Sequence, residues 1–195
     1  YKKVTEVPKW GNNVDEVDTI YESLFETYCD YVSKQKNYLG EPYDPSMLAI
    51  STHAQFGKVC GATPDGRHAE ETLADGVTSP FPGTDVNGPM AVLLSAGKID
   101  HTKIRGGLHN MKFHPSSLKG IQGSKKLLQL IKTYFDTRGF QLQFNVVDSD
   151  MLRDAKENPD NYRDLIVRVA GFSAFFVELG ETIQNEIIER TEQEF

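Results

Sequence analysis

Within the last third of this chain the hydrophobic period changes repeatedly, and that alternation limits the folds open to it. From Ser124 the apolar residues Leu127, Leu128, Ile131, Tyr134 and Phe135 recur at helical spacing, and Gly139 is placed to end the run by its tolerance of positive φ. Gln141 to Val147 alternates like a half-buried strand, Asp150 to Lys156 reads as a short helix, and Leu165 to Val169 reads as a second strand. Ile183, Ile187 and Ile188 then share one face of a terminal helix expected over about 181–192. Helices and strands that alternate in this way predict the α/β class.

Upstream, Val14, Val17, Ile20, Leu24, Tyr28 and Val32 fall in steps of three and four, which predicts an amphipathic helix with Asn13 as its N-cap. It should fade before Gly40-Glu41-Pro42, and Met47 to Ser51 then reads as a short buried strand. From Gly57 to Gly88 the chain is dense in Gly, Pro, Asp and Thr, turn chemistry without helical periodicity. The interspersed Phe56, Val59, Leu73, Val77 and Phe81 predict an ordered loop system rather than a disordered one. Ala91 to Ala96 fits either a short helix or a buried strand.

Composition acts here through what it excludes. No apolar run approaches the roughly 20 residues needed to span a bilayer, so a membrane protein is not expected. A net charge of −7 argues against a nucleic-acid surface. Negative charge gathers late, with Glu181, Glu186, Glu189, Glu192 and Glu194 against Arg190, and reads as a solvated helix face. Lys119, Lys125, Lys126 and Lys132 read as another. The only cysteines, Cys29 and Cys60, form neither a CxxC motif nor a disulfide framework, which suits a reducing cytoplasm. His101, His109 and His114 match no zinc spacing and read as solvent-facing or satisfied loop histidines. Gly106-Gly107 precedes no phosphate-binding helix. Tyr1 to Pro8 shows neither an initiator Met nor a signal peptide, so the chain reads as a piece of a longer polypeptide.

One segment carries chemistry: Arg168-Val169-Ala170-Gly171-Phe172-Ser173-Ala174-Phe175-Phe176. By local physics, a Gly between a strand and aromatics marks a tight turn or a close backbone approach. The segment also resembles the signature of glycyl radical enzymes, Arg-Val-(Ser/Ala)-Gly-(Phe/Tyr), and stands 24 residues before the C-terminus, as in that family. Further blocks resemble the family in the right order: Pro8-Lys9-Trp10-Gly11-Asn12, Thr63-Pro64-Asp65-Gly66-Arg67, Asn145-Val146-Val147-Asp148 and Asn158-Pro159-Asp160-Asn161-Tyr162-Arg163.

The resemblance implies the C-terminal part of a ten-stranded α/β barrel. Residues 1–48 would contribute an outer helix and connection. Residues 49–195 would form the glycine radical domain, with a radical loop around 168–176. Gly171 would store a backbone radical, installed by a separate iron–sulfur activase that uses S-adenosylmethionine, and Phe172, Phe175 and Phe176 would form a dry shell around it. The resemblance also implies that the C-terminal segment swings out for activation, with Gly180 either a hinge or a simple helix-entry turn. The radical would pass to a cysteine for anaerobic carbon–carbon chemistry. Neither Cys29-Asp30, inside the first helix, nor Cys60-Gly61, just before the Thr63 block, matches the family's cysteine loop, so the catalytic thiol is expected outside this chain. No other cofactor or metal is expected. Ala170 and Phe172 bring the chain closest to the arylacetate decarboxylases and to the fumarate-adding aryl- and alkylsuccinate synthases, with dehydratases and choline-type lyases ranked below. The complete protein would act on a small organic acid as a homo-oligomer, with or without small subunits. A stand-alone glycyl radical repair subunit is the alternative from another class.

Overall fold

The structure is a computed structural model that describes residues 6–195; Tyr1 to Thr5, and with them most of the opening stretch read for processing signals, lie outside the described residues. Its helices are α1 (Asp15–Lys34), α2 (Thr52–Val59), α3 (Pro89–Ala96), α4 (Gly120–Asp136), α5 (Ser149–Glu157) and α6 (Glu181–Glu189). Its strands are β1 (Asn110–Phe113), β2 (Gln143–Val146), β3 (Ile166–Arg168), β4 (Ser173–Phe175) and β5 (Glu192–Gln193). One sheet runs β2-β1-β5, all parallel, and β3 and β4 form a separate antiparallel hairpin. None of the described helices is long and apolar enough to cross a membrane.

The parallel sheet sorts its residues by face. On one side Met111 and Phe113 pack with Val92 and Leu93 of α3 and with Leu130 and Tyr134 of α4. On the other side Asn110 and Lys112 of β1 stand in register with Gln143 and Asn145 of β2, and all four are buried. A second apolar core, made of Leu152, Ala155, Val167, Val169, Phe176 and Ile187, joins α5, the hairpin and α6. Asn145 and Gln143 bond directly to the hairpin, so a polar sheet face meets it where an apolar one would be usual.

Several expectations need correction. Asn13 does not cap α1; Val14 holds that position, and Asn13 sits at φ 54, a conformation Asn tolerates. The preceding Asn12 dictates this path: its Oδ1 accepts from the Val86 and Asn87 amides at 2.8 and 3.0 Å and its Nδ2 donates to Thr84 O at 2.7 Å. The apolar stripe read on α1 is offset from the packed one: Asp18, Phe25 and Cys29 are buried, whereas Ile20 and Leu24 are about two-thirds exposed. Met47 makes only an isolated bridge to Gly107, Ile50 lies at φ 53, and helix α2 follows and runs into the start of the expected loop at Gly57. Ala91–Ala96 is helical, entered by Pro89, which suits a first turn. Arg138, not Gly139, takes the positive φ after α4; Gly139 is required because a Cβ there would lie 2.3 Å from the Tyr134 ring. The terminal helix ends at Glu189, and Glu192 and Gln193 leave it to pair with β1.

That last pairing is held by Asp85. Its carboxylate accepts from Thr191 Oγ1 and, at 2.5 Å, from Gln193 Nε2. Burial pushes Asp85 up to about 6, well above the ordinary 3.8. The folded protein therefore holds this proton more tightly than the unfolded chain does. The contribution to stability is fully present below pH about 4 and is lost as the pH rises through about 6. Denaturant midpoints of the full polypeptide between pH 4 and 7 are expected to show this loss, up to about 3 kcal/mol, and Asp85→Asn is expected to flatten it.

Candidate functional site: the Gly171 hairpin

The β3–β4 hairpin closes on two residues. Arg168 pairs with Ser173, Val169 N–H donates to Phe172 O at 2.9 Å, and Ala170 and Gly171 make the connection. Val169 and Ala170 are fully buried, while Gly171 points outward at φ +83. A Cβ at 171 would touch only Leu108, at ordinary van der Waals distance, so the backbone rather than space demands glycine. Of the three aromatics, Phe176 is buried, and Phe172 and Phe175 are each 40% exposed among the described residues. Phe172 closes the turn and Phe175 ends β4. Gly180 sits at φ −63 as the N-cap of α6, a conformation open to any residue.

Polar side chains of the sheet hold the hairpin by its backbone. Asn145 accepts from Arg168 N–H and donates to Arg168 O, both at 2.7 Å, copying the pairing a neighbouring strand would offer. Gln143 Oε1 accepts from Arg168 Nε at 2.6 Å and from Gly171 N–H at 3.4 Å. Gln143 Nε2 donates to Asn110 Oδ1, and Asn110 Nδ2 donates to Asp75 Oδ2 at 2.7 Å. Asp75 pairs with Arg190 Nε at 2.9 Å. Arg190 closes the circuit by donating to Val169 O at 2.7 Å and Arg168 O at 3.1 Å. Lys112, lowered to about 8 by burial, caps α6 through Ile188 O at 2.7 Å and bonds Ser149 Oγ at 2.9 Å.

Arg190 also binds Glu186 bidentately at 2.8 and 2.9 Å, and His53 Nε2 approaches Glu186 at 3.5 Å. Glu186 and Arg190 are therefore not part of the solvated face expected for the last helix. Burial raises Asp75 above the ordinary carboxylate range against the pull of Arg190. Burial also works against Glu186, but Arg190 and His53 outweigh it and hold that carboxyl below its usual value. A cavity of about 20 Å³ beside Asp75, Asp85, Asn110 and Arg190 has room for a single water and not for an organic substrate.

The other singled-out residues stand elsewhere. Cys29 packs with Phe25, Ile99 and Ile104, and burial pushes its thiol up, the reverse of an activated thiolate. Cys60 caps α2 through its backbone. His101 and His109 follow the second of the two readings: they are buried against Tyr134 with a ring nitrogen bonded to Ala96 O at 2.8 Å and Thr78 Oγ1 at 2.9 Å, respectively, and burial takes His109 down to about 3. His114 caps the short turn over residues 115–118. Among the described residues no cluster of three or more His, Cys, Asp or Glu is arranged to hold a metal ion. Of the further motif blocks, Arg67 is buried and binds His68 O, Glu71 O and Gly61 O, so it ties a loop together. Trp10 stacks on Tyr21 at 4.0 Å and donates to Thr78 O at 3.0 Å.

A glycine in a tight hairpin turn is what the sequence signature leads one to expect; the polar circuit that holds it from behind is an addition of the structure. Residues 73–177, more than half the chain, match the family model described as "Glycine radical", and residues 1–57 match "Pyruvate formate lyase-like". The chain belongs to the glycyl radical family. It is 48% identical to indoleacetate decarboxylase of Tractidigestivibacter scatoligenes over 98% of its length and 22% of the relative. It is 45% identical to the 4-hydroxyphenylacetate decarboxylase glycyl radical subunit of Clostridioides difficile over its whole length and 22% of that protein. The glycerol-bound B12-independent glycerol dehydratase of Clostridium butyricum superposes with a TM-score of 0.94 at 47% identity, covering 98% of this chain and 24% of that one. The chain therefore spans about a fifth to a quarter of its relatives, and its fold is the α/β fold of the corresponding part of the glycyl radical barrel.

Arg190 pairs with two buried carboxyls and donates to two hairpin carbonyls at once. Arg190→Met is expected to destabilise the full polypeptide by about 3–5 kcal/mol, because it leaves buried charge and buried acceptors unpaired. Chemical denaturation of native and variant protein checks this; a loss below about 1 kcal/mol would contradict the paired-charge geometry.

Proposed function

We propose that Gly171 stores a backbone radical, and that residues 49–195 form the glycine radical domain of a longer lyase in which residues 1–48 lie on the barrel exterior. The observation that carries this is the outward Gly171 held by its neighbours' backbone, with Val169 and Ala170 buried behind it. A Cα radical must flatten between amide nitrogen and carbonyl, and glycine alone does so without a side chain in the way. A separate iron–sulfur activase that uses S-adenosylmethionine would abstract the hydrogen once the C-terminal segment swings out of the barrel. The radical cysteine would lie in the part of the protein beyond this chain, since neither Cys29, packed within α1, nor Cys60, at the end of α2, matches the family's cysteine loop.

The lead reaction is decarboxylation of an arylacetate, supported by Ala170 and Phe172 in the signature and by identities of 48% and 45% to two arylacetate decarboxylases. Dehydration of a small polar substrate is the second reading, favoured by the TM-score of 0.94 to a glycerol dehydratase. A small organic acid as substrate, a homo-oligomeric assembly with or without small subunits, and a cytoplasmic, anaerobic setting complete the proposal.

Anaerobic electron paramagnetic resonance of the full polypeptide after activase treatment provides the test. A doublet-like glycyl signal is expected from native protein and none from Gly171→Ala, whose Cβ at φ +83 also carries a strain of about 1–3 kcal/mol. No signal from native protein that has been fully exposed to its activase would contradict the proposal. Turnover of arylacetates against polyols by the activated protein separates the two reactions.

A further inference from the structure

We infer that Gln143 is a positioning residue for the radical glycine, acting through its Oε1 on the Gly171 N–H; this rests on Gly171 being the radical site. Gln143 is 7% exposed and lies on a strand, so its side chain is fixed by packing and by three polar partners. Among the described residues its Oε1 is the acceptor recorded for the Gly171 amide. At 3.4 Å that bond is long, because the same oxygen is drawn to Arg168 Nε at 2.6 Å.

The chemistry makes this contact state-dependent. In a planar glycyl radical the unpaired electron is shared with the flanking amide nitrogen and carbonyl. Sharing withdraws density from nitrogen and makes its N–H a better donor. A contact that is weak in the parent and stronger in the radical favours the radical state, as any differential contact favours the state it binds better. The rest of the circuit gives Gln143 its stiffness. Nε2 is anchored on Asn110, Asn110 on Asp75, and Asp75 on Arg190, which grips the hairpin at the carbonyls of Arg168 and Val169. The acceptor and the glycine are therefore fixed to each other by two routes, one through the amide and one through the guanidinium.

The test compares native protein, Gln143→Ala and Gln143→Glu in the full polypeptide. In the activated proteins, electron–nuclear double resonance reads the exchangeable amide proton of the glycyl radical. The native protein is expected to show a coupling that shifts in Gln143→Ala and returns in Gln143→Glu, which keeps an acceptor oxygen. A role confined to stability would leave that coupling unchanged in any variant that activates. In the unactivated proteins, hydrogen exchange at Gly171 is expected to speed up about tenfold in Gln143→Ala while α4 exchanges as before. This second measurement stands even for a variant that never accepts a radical. An unchanged amide-proton coupling in Gln143→Ala, or an unchanged Gly171 exchange rate, would overturn the inference. Absence of a radical in native protein would instead overturn the assignment of Gly171.

Discussion

The structure depends on a buried sheet face that is polar where it meets the hairpin. Asn110, Lys112, Gln143 and Asn145 occupy inward positions that strands usually give to aliphatic residues. Burying such groups costs free energy unless each finds a partner. Here each does: Asn145 with the backbone of Arg168, Gln143 with Arg168 and Gly171, Asn110 with Gln143 and Asp75, and Lys112 with the end of α6. An apolar face would grip the hairpin only by shape. Amide groups grip it by individual backbone atoms, so the sheet fixes the position of the turn as well as its presence.

The same choice explains why the last helix carries charge inward. Arg190 must reach hairpin carbonyls from behind, and a guanidinium buried there requires carboxylates, which Glu186 and Asp75 supply. The helix therefore cannot continue to residue 192, since its end has to deliver Arg190 inward and then release Glu192 and Gln193 to β1. Apolar cores on both sides, one around Leu130 and Tyr134 and one around Leu152 and Phe176, shield this polar layer from water.

Periodicity showed the elements that pack in the ordinary way. The helix after Ser124, the strand at Gln143–Val146, the short helix after Asp148 and the strand at Ile166–Arg168 all stand close to where spacing put them. Gly171 was legible through its signature. The residues that hold it were not, because a polar residue at an inward strand position looks the same as one at an outward position until the fold says which face is buried. Gln143 and Asn145 alternate with Phe144, which packs on the Phe113 side, and nothing in the pattern says that the polar side is buried as well. A similar ambiguity on α1 put Ile20 and Leu24 on the packed side when Phe25 and Cys29 hold it. Asn110–Phe113 escaped as a strand because four residues with two polar members carry no period of their own.

A backbone radical marks its own position when it meets oxygen, since a peroxyl formed at the Cα leads to cleavage of the chain there. Mass spectrometry of the activated full polypeptide after brief exposure to air therefore tests the assignment of Gly171 most directly. Cleavage at Gly171, with a C-terminal peptide running on from Phe172 and dependent on prior activation, is the result this structure predicts; activation-dependent cleavage at another glycine, with residues 168–176 left intact, would contradict it.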